Sequence, residues 1–112
     1  MRIWHEALIP RLCRQHLLAM WREGLGAYSI ITNDKKGYRN HPALKEFERC
    51  PNLLAQRLQA VRAEMLRRGY HPKEAPAPDP AQLPGEQAQY HEWQSLQEQI
   101  QLLQAKGCDC RV

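Results

Sequence analysis

The chain has 112 residues, of which 43% are hydrophobic and 25% are charged, and its formal net charge is +4. This length and composition are typical of one globular domain. No apolar run approaches the roughly 18 residues of a transmembrane helix, and the first residues lack the apolar stretch of a signal peptide. We therefore expect a soluble, cytoplasmic protein with no membrane partner, in which residues 1–112 form a single domain.

Positive charge is concentrated in the first two-thirds of the chain. Residues 1–73 contain 14 Lys and Arg against 6 Asp and Glu, whereas residues 74–112 contain 2 against 6. A basic body suits a large anionic partner, of which nucleic acid is the commonest. A solvated cationic surface without a partner explains the charge equally well.

The first predicted helix runs from about Arg11 to Tyr28. Its apolar residues recur at the i, i+3, i+4, i+7 spacing of an amphipathic helix. They are Leu17, Leu18, Trp21, Leu25 and Tyr28. Gly24 and Gly26 lack a β-carbon, and we expect them to let another segment approach closely.

A short helix is predicted over Ala43–Arg49, and a second long helix runs from Pro51 to Arg68. The second long helix also has an apolar stripe. Its members are Leu54, Leu58, Val61, Met65 and Leu66. Gly69 follows at the position where a glycine commonly ends a helix.

Five of the eight prolines lie in residues 71–85, so we predict an extended connection over residues 73–85. A third helix is predicted over residues 86–106. Its apolar stripe indicates packing on the body of the domain or on a partner helix, and the second arrangement would give self-association. With no strand pattern, the predicted fold is all-α: a compact three-helix domain with a short extra helix and an extended proline-rich connection.

The four cysteines are expected to be free thiols, since nothing marks the chain as secreted. Cys13 and Cys50 are most simply buried as small hydrophobic residues. Cys108 and Cys110 could bind zinc together with a histidine, which gives a small zinc-dependent protein as one alternative. Two ligands in a terminal tail are a weak signal, so we expect no metal and no cofactor.

Glu23 is an unusual residue in the basic first helix. It lies on one strip of the helix with His16 and Met20, and no basic residue lies three or four positions away to pair with it. Arg22 is adjacent but points about 100° away around the helix. Glu23 therefore either faces water or is placed there for chemistry.

Several short segments, taken in order, form a recognisable set. Gln15-His16-Leu17 is followed by Arg22-Glu23, and the chain also contains the opening MRIW, the block ITNDKKGYRNHP and the helix end MLRRGY. This set resembles the pyrimidine-dimer DNA glycosylases of the phage endonuclease V type. The resemblance spans about residues 1–72, which would be the catalytic body.

The resemblance implies a compact all-α DNA glycosylase with AP-lyase activity. Its substrate would be damaged double-stranded DNA containing cyclobutane pyrimidine dimers or related lesions. The chain's α-amine would attack C1′, expel the base through a Schiff base and nick the strand by β-elimination. Arg2 is too bulky to permit removal of the initiator, so the resemblance assigns the nucleophile to the amine of Met1 and the catalytic carboxylate to Glu23. An α-amine, with a pKa of about 7.7–8.0, is far more often neutral at pH 7 than a lysine.

The resemblance and the basic residues together suggest a set of DNA contacts. Side chains from the first helix and its start would hold phosphates and the lesion, and those of the following loop would grip the backbone. The predicted set is Arg2, Arg14, His16, Arg22, Lys35, Lys36 and Arg39. His5 and His41 are expected to be surface residues, and Trp4 is expected in the core. The alternative function is a non-catalytic nucleic-acid-binding or interaction module with the same fold.

Overall fold

The computed structural model describes residues 2–33 and 41–112. Within these ranges all regular structure is helical, which confirms the all-α prediction. A 3-10 helix is followed by five α-helices. Their bounds are Glu6–Arg11 for the 3-10 helix, then α1 (Arg14–Thr32), α2 (Pro42–Glu48), α3 (Pro51–Arg67), α4 (Leu83–Gln89) and α5 (Leu96–Ala105).

The first α-helix begins three residues later than predicted. Pro10 lies inside the 3-10 helix, and Leu12 after it has extended backbone torsions. The side chain of His5 caps the 3-10 helix by accepting a hydrogen bond from the Ala7 amide at 3.0 Å. This local cap and the proline ring separate residues 6–11 from α1.

The two long helices, α1 and α3, pack against each other at the centre of the protein. Their predicted apolar stripes form most of the contact, because burying both stripes removes the largest apolar surface from water. The fully buried side chains include Leu17, Met20, Leu54, Leu58 and Val61. Gly24 lies at the closest approach of the helices, where a β-carbon would come 2.6 Å from Leu58 Cδ2.

Gly24→Ala should destabilise the protein although alanine is the better helix former. Leu58 is only 1% exposed and cannot move aside easily. Overpacking lowers the free energy of unfolding by about 1–3 kcal/mol, whereas the higher helix propensity of alanine raises it by about 1 kcal/mol. Urea denaturation should therefore give a lower midpoint for this variant than for the parent.

Gly26→Ala is the matched control, in the same helix two residues further on. A β-carbon at Gly26 would meet nothing within 4 Å. We expect this variant to be about 0.5–1 kcal/mol more stable than the parent. Equal midpoints for the two variants would contradict the close packing at Gly24.

The end of α3 is joined to the segment before α1. Gly69 has φ of 87°, as predicted for a helix-ending glycine, and Tyr70 donates its amide to the Met65 carbonyl at 2.9 Å. Arg68 donates to the Leu12 carbonyl at 2.7 Å and is itself held by the buried carboxylate of Glu64 at 2.6 Å.

The carboxylate of Glu64 also receives a hydrogen bond from Arg67 Nε at 3.0 Å. The side-chain hydrogen bond from Arg67 is the largest cause that holds the pKa of Glu64 below its usual value, and Arg68 acts in the same direction. Burial opposes both. Glu64 is therefore a charged anchor between α3 and the start of α1.

The proline-rich connection is extended, as predicted, and lies along α3. It is shorter than the predicted 73–85, because α4 begins at Leu83 with a proline in its first turn, where proline is favourable. The side-chain amide of Gln59 donates to the carbonyls of Ala75 and Pro76 at 3.3 and 2.9 Å. The guanidinium of Arg62 donates to the carbonyl of Lys73 at 2.9 Å. Side chains of α3 thus donate hydrogen bonds to the backbone carbonyls of a segment that forms no helix or sheet to satisfy them.

The structure corrects the single helix predicted over residues 86–106. Two helices, α4 and α5, are separated by residues 90–95. The ring of Tyr90 stacks on Phe47 at 5.0 Å, so the chain leaves the helix to reach the body. Ser95 and Glu98 then form a capping box that starts α5 anew.

The apolar stripe of α5 packs on the protein's own body. Leu103 is 1% exposed and belongs to the core, and Ile100 packs against it. Self-association through this helix stays a prediction, and Leu96 at its start is a large apolar residue that is exposed. Among the described helices none combines the length and the hydropathy needed to cross a bilayer.

Candidate active site

Glu23 contacts the start of the chain. It lies on α1, half-buried, and its Oε2 accepts a hydrogen bond from the backbone amide of Arg2 at 2.7 Å. Ile3 and Trp4 are 6% and 2% exposed, so the residues next to Arg2 are anchored in the core. The burial of Trp4 agrees with its predicted core position and explains why the first amides run beside α1.

The side chain of Arg2 is held by aromatic rings from both ends of the chain. Its guanidinium carbon lies 5.0 Å from the ring centroid of Trp4 and 4.8 Å from that of Trp93, a cation–π arrangement on both. Arg2 also donates to Gln94. Burial lowers the pKa of Arg2, which the charge of Glu23 opposes. The side chain of Arg2 is thus held by other side chains of the protein, and these contacts fix the first described residues in place.

His41 borders the same region, which the sequence analysis did not anticipate. It precedes α2, where its Nδ1 accepts a hydrogen bond from the Ala43 amide at 3.2 Å, and its ring meets Trp93 edge-on at 5.4 Å. Burial is the largest cause that lowers the pKa of His41; nearby positive charge, including that of Arg2, adds to it and Glu23 opposes it. The His-Pro step before a helix was the available signal, since histidine can cap a helix there.

A charged network holds residues 90–95 against the body. Arg57 forms an ion pair with Glu92 at 2.5 Å and donates to the carbonyl of Trp4 at 3.3 Å. Glu92 also accepts from the hydroxyl of Tyr90 and from the side-chain amide of Gln99, each at 3.1 Å. Burial raises the pKa of Tyr90, so its hydroxyl stays protonated as a donor. The network positions the segment that carries Trp93 and Gln94.

Two of the predicted phosphate contacts, Arg14 and Arg22, lie on α1. Arg14 and Arg22 are exposed on the outer face of the helix. Arg22 lines a groove together with Lys106, which adds a second positive charge to this surface. The other basic residues of the prediction, Lys35, Lys36 and Arg39, lie outside the described residues.

His16 faces a group of cysteines. Its Nδ1 lies 3.2 Å from Cys13 Sγ and 3.3 Å from Cys110 Sγ. Burial lowers the pKa of His16, and the charge of Lys106 adds to this effect. Cys13 is half-buried beside this histidine, so the prediction that it is simply a buried hydrophobe is wrong, whereas Cys50 is buried as expected.

Met1, whose amine the sequence analysis assigned as the nucleophile, lies outside the described residues. The first described amide, that of Arg2, donates to Glu23 at 2.7 Å. A carboxylate in this position can stabilise a cation that forms beside it and can accept a proton from a bound substrate.

Comparison with known proteins gives one family. A family model described as pyrimidine dimer DNA glycosylase matches residues 1–76. No curated protein and no solved structure gives a significant match. The matched range includes Arg2, Glu23 and His41, whereas Trp93 and Gln94, which clamp Arg2, lie beyond it.

Proposed function

The chain belongs to the pyrimidine dimer DNA glycosylase family, and from this premise we propose that it removes damaged bases from duplex DNA and then cleaves the strand as an AP lyase. The observation that carries the proposal is the 2.7 Å hydrogen bond from the Arg2 amide to Glu23 Oε2. It joins the first peptide unit to a carboxylate that has no basic partner within its own helix turn. Cyclobutane pyrimidine dimers or related lesions are the proposed substrates.

The proposed reaction begins with the neutral α-amine of Met1. Its lone pair forms a bond to C1′ of the damaged nucleotide, and the glycosidic bond breaks with its electrons leaving on the base, which is then protonated. Opening of the sugar at O4′, with proton transfer to that oxygen, leaves an iminium between C1′ and the amine. The negative charge of Glu23 stabilises this cation.

Strand cleavage follows from the same intermediate. Glu23 removes a proton from C2′, the electrons form a C1′–C2′ enamine, and delocalisation along the chain expels the 3′ phosphate by β-elimination. Water then hydrolyses the iminium and frees the amine. Glu23 thus acts as a base in this step, which requires its carboxylate to be ionised.

DNA binding is proposed to use the exposed cations of α1 and the basic residues that follow α1 in the sequence. Arg14 and Arg22 would contact phosphates from the helix, and Lys35, Lys36 and Arg39 would add further phosphate contacts. Arg2 would contribute indirectly, because the contacts of its side chain hold in place the residue that follows the nucleophilic Met1 in the sequence. Lesions weaken stacking and pairing, so the few kcal/mol needed to extrude a base fall at the damaged site.

Borohydride trapping tests the nucleophile and the reaction together. Duplex DNA with an abasic site or a dimer should form a covalent adduct that borohydride reduces to a stable amine, and peptide mass mapping should place the adduct on Met1. Protein whose terminal amine is acetylated should form no adduct, because an amide nitrogen is not nucleophilic.

A Lys35→Arg, Lys36→Arg double variant is the control for lysine chemistry. It keeps both charges but removes the two lysine amines closest in sequence to the site, and should trap as well as the parent. If neither substrate gives an adduct although the DNA is bound, the protein is a non-catalytic nucleic-acid-binding module. An adduct that maps to a lysine would also contradict the assignment to Met1.

A further inference from the structure

Four potential metal ligands from distant parts of the chain meet at the start of α1. They are Cys13, His16, Cys108 and Cys110, and one ligand atom from each lies within 4.8 Å of all the others. The first pair spans the beginning of α1, and the second pair lies in the tail after α5. All three thiols are free and half-buried.

Two distances within this cluster are close to those of a tetrahedral zinc site, and the whole cluster would contract only slightly to hold the ion, since its four atoms lie within 4.8 Å of one another. Zinc–sulfur bonds of about 2.3 Å and zinc–nitrogen bonds of about 2.0–2.1 Å give tetrahedral edges of roughly 3.8 Å between sulfurs and 3.6 Å between sulfur and nitrogen. His16 Nδ1 lies 3.2 Å from Cys13 Sγ and 3.3 Å from Cys110 Sγ. Movements of a few tenths of an ångström would bring both edges to the ideal length.

The helix end helps to assemble the N-terminal half of the cluster. Cys13 is the residue before the first turn of α1 and its side chain does not cap the helix, which leaves its thiol available. His16, three residues later, projects on the same side of the helix. The amide of Cys13 donates to Cys110 Sγ at 3.0 Å. This hydrogen bond holds the tail cysteine at the start of α1, beside the two ligands of the helix.

The tail is held in place by contacts outside the cluster. Gly107 has φ of 65°, a conformation that favours glycine, and it turns the chain back after α5. Arg111 donates its amide to the Arg11 carbonyl at 2.8 Å, and Arg11 Nε donates to the Arg111 carbonyl at 2.6 Å. The two tail cysteines are therefore positioned by a turn on one side and by hydrogen bonds on the other.

Charge around the cluster suits an anionic metal complex. Three thiolates and one divalent ion leave a net charge of −1, which cations nearby would balance. Arg14 and Asp109 line a groove with Cys13 and Cys108, and Arg22 and Lys106 line another with His16 and Cys108. Among the residues that line these two grooves, three cations stand against one anion. Thiolates with one imidazole favour zinc over magnesium or calcium, which require oxygen ligands.

We propose that Cys13, His16, Cys108 and Cys110 bind one Zn²⁺ in a structural site that fastens the C-terminal tail to α1. Four protein ligands leave no open position for water or substrate, as in structural rather than catalytic zinc sites. His16 is seven residues from Glu23, roughly 10 Å along the helix. The proposal departs from the sequence-based expectations that the protein holds no metal and that His16 contacts DNA.

Metal content and cobalt spectroscopy test the site without reference to DNA or activity. Protein purified without chelator should contain about one zinc ion per chain. Metal-free, reduced protein titrated with Co²⁺ should develop the thiolate-to-cobalt charge-transfer absorption and the intense visible bands of tetrahedral coordination, saturating at about one equivalent. Excess Zn²⁺ should displace the cobalt and bleach both features.

Cys110→Ser removes one ligand and should lower the bound zinc several-fold after extensive dialysis. Cys50→Ala is the matched control, because Cys50 is free but lies at the start of α3 with its thiol directed to the Glu86 carbonyl. It should keep the full zinc content. The wild-type cobalt titration keeps the proposal testable even if a cysteine variant does not fold.

Three results would overturn the proposal. One is the absence of any thiolate-to-cobalt absorption in reduced wild-type protein. Another is freshly purified protein without zinc in which thiol titration finds a disulfide among Cys13, Cys108 and Cys110. Retention of full zinc content by Cys110→Ser would likewise reject the assigned ligand set.

Discussion

Glu23→Gln should lower the single-turnover rate of strand cleavage at an abasic site by roughly 100- to 1000-fold, the usual loss when one preorganised electrostatic group is removed. In the parent, the Arg2 amide donates a hydrogen bond to Glu23 Oε2 at 2.7 Å. Glutamine retains an oxygen that can accept this hydrogen bond, so the start of the chain should stay in place. It has no charge to stabilise an iminium and cannot accept the C2′ proton. Affinity for DNA should be unchanged or higher, since one negative charge is lost.

Glu6→Gln is the matched control for this experiment. Glu6 is an exposed carboxylate on the 3-10 helix of the same N-terminal region, and its replacement by glutamine changes the net charge by the same amount. It should cleave at the parental rate. Cleavage by Glu23→Gln at the rate of the Glu6 variant would reject the catalytic role of Glu23.

Glu86→Ala should produce the largest loss of stability among single changes outside the apolar core. The carboxylate of Glu86 is in a side chain only 7% exposed and accepts from the amides of Asn52 and Leu53 at 2.8 and 3.2 Å, and from the Asn52 side chain at 2.6 Å. It therefore caps α3 from another helix. Removal leaves donors unsatisfied at a buried helix start, at a cost of about 3 kcal/mol.

Thermal denaturation should show this loss as a fall of roughly 10 °C in Tm. Glu74→Ala is the control, because the side chain of Glu74 is 94% exposed and pairs with Arg62 at 3.8 Å in a surface ion pair. Its Tm should change by little, since such pairs contribute about 0–1 kcal/mol. Similar Tm values for the two variants would show that Glu86 does not cap α3.

The long helices could be predicted because local information determines them. The apolar periodicity of α1 and α3 is strong, and Gly69 ends α3 as its position indicated. The C-terminal region was harder, because Trp93, Leu96, Ile100 and Leu103 fit one helical stripe although Trp93 lies outside α5. The capping box of Ser95 and Glu98 was visible in the sequence and marked the true start of that helix.

The candidate site could be predicted only in part. The isolation of Glu23 in a basic helix was a local feature, and the resemblance supplied its role. The partners of Arg2 could not be predicted, because Trp93 and Gln94 approach it across more than ninety residues of chain. The spacing of Cys13 and His16 was a signal for a metal site, but its significance depends on a tail whose path only the folded structure shows.

The same long separations bear on how the protein is made. Hydrogen bonds across nearly the whole chain join Arg2 to Gln94, His5 to Gln99 and the backbone of Arg11 to that of Arg111. Domains fold during synthesis from the N-terminus onward, so α1 and α3 can pair before the last residues leave the ribosome. The contacts of the first residues with residues 93–99 can form only after that later segment has been synthesised. A product of stalled synthesis would carry Glu23 without the clamp that holds the chain's beginning beside it.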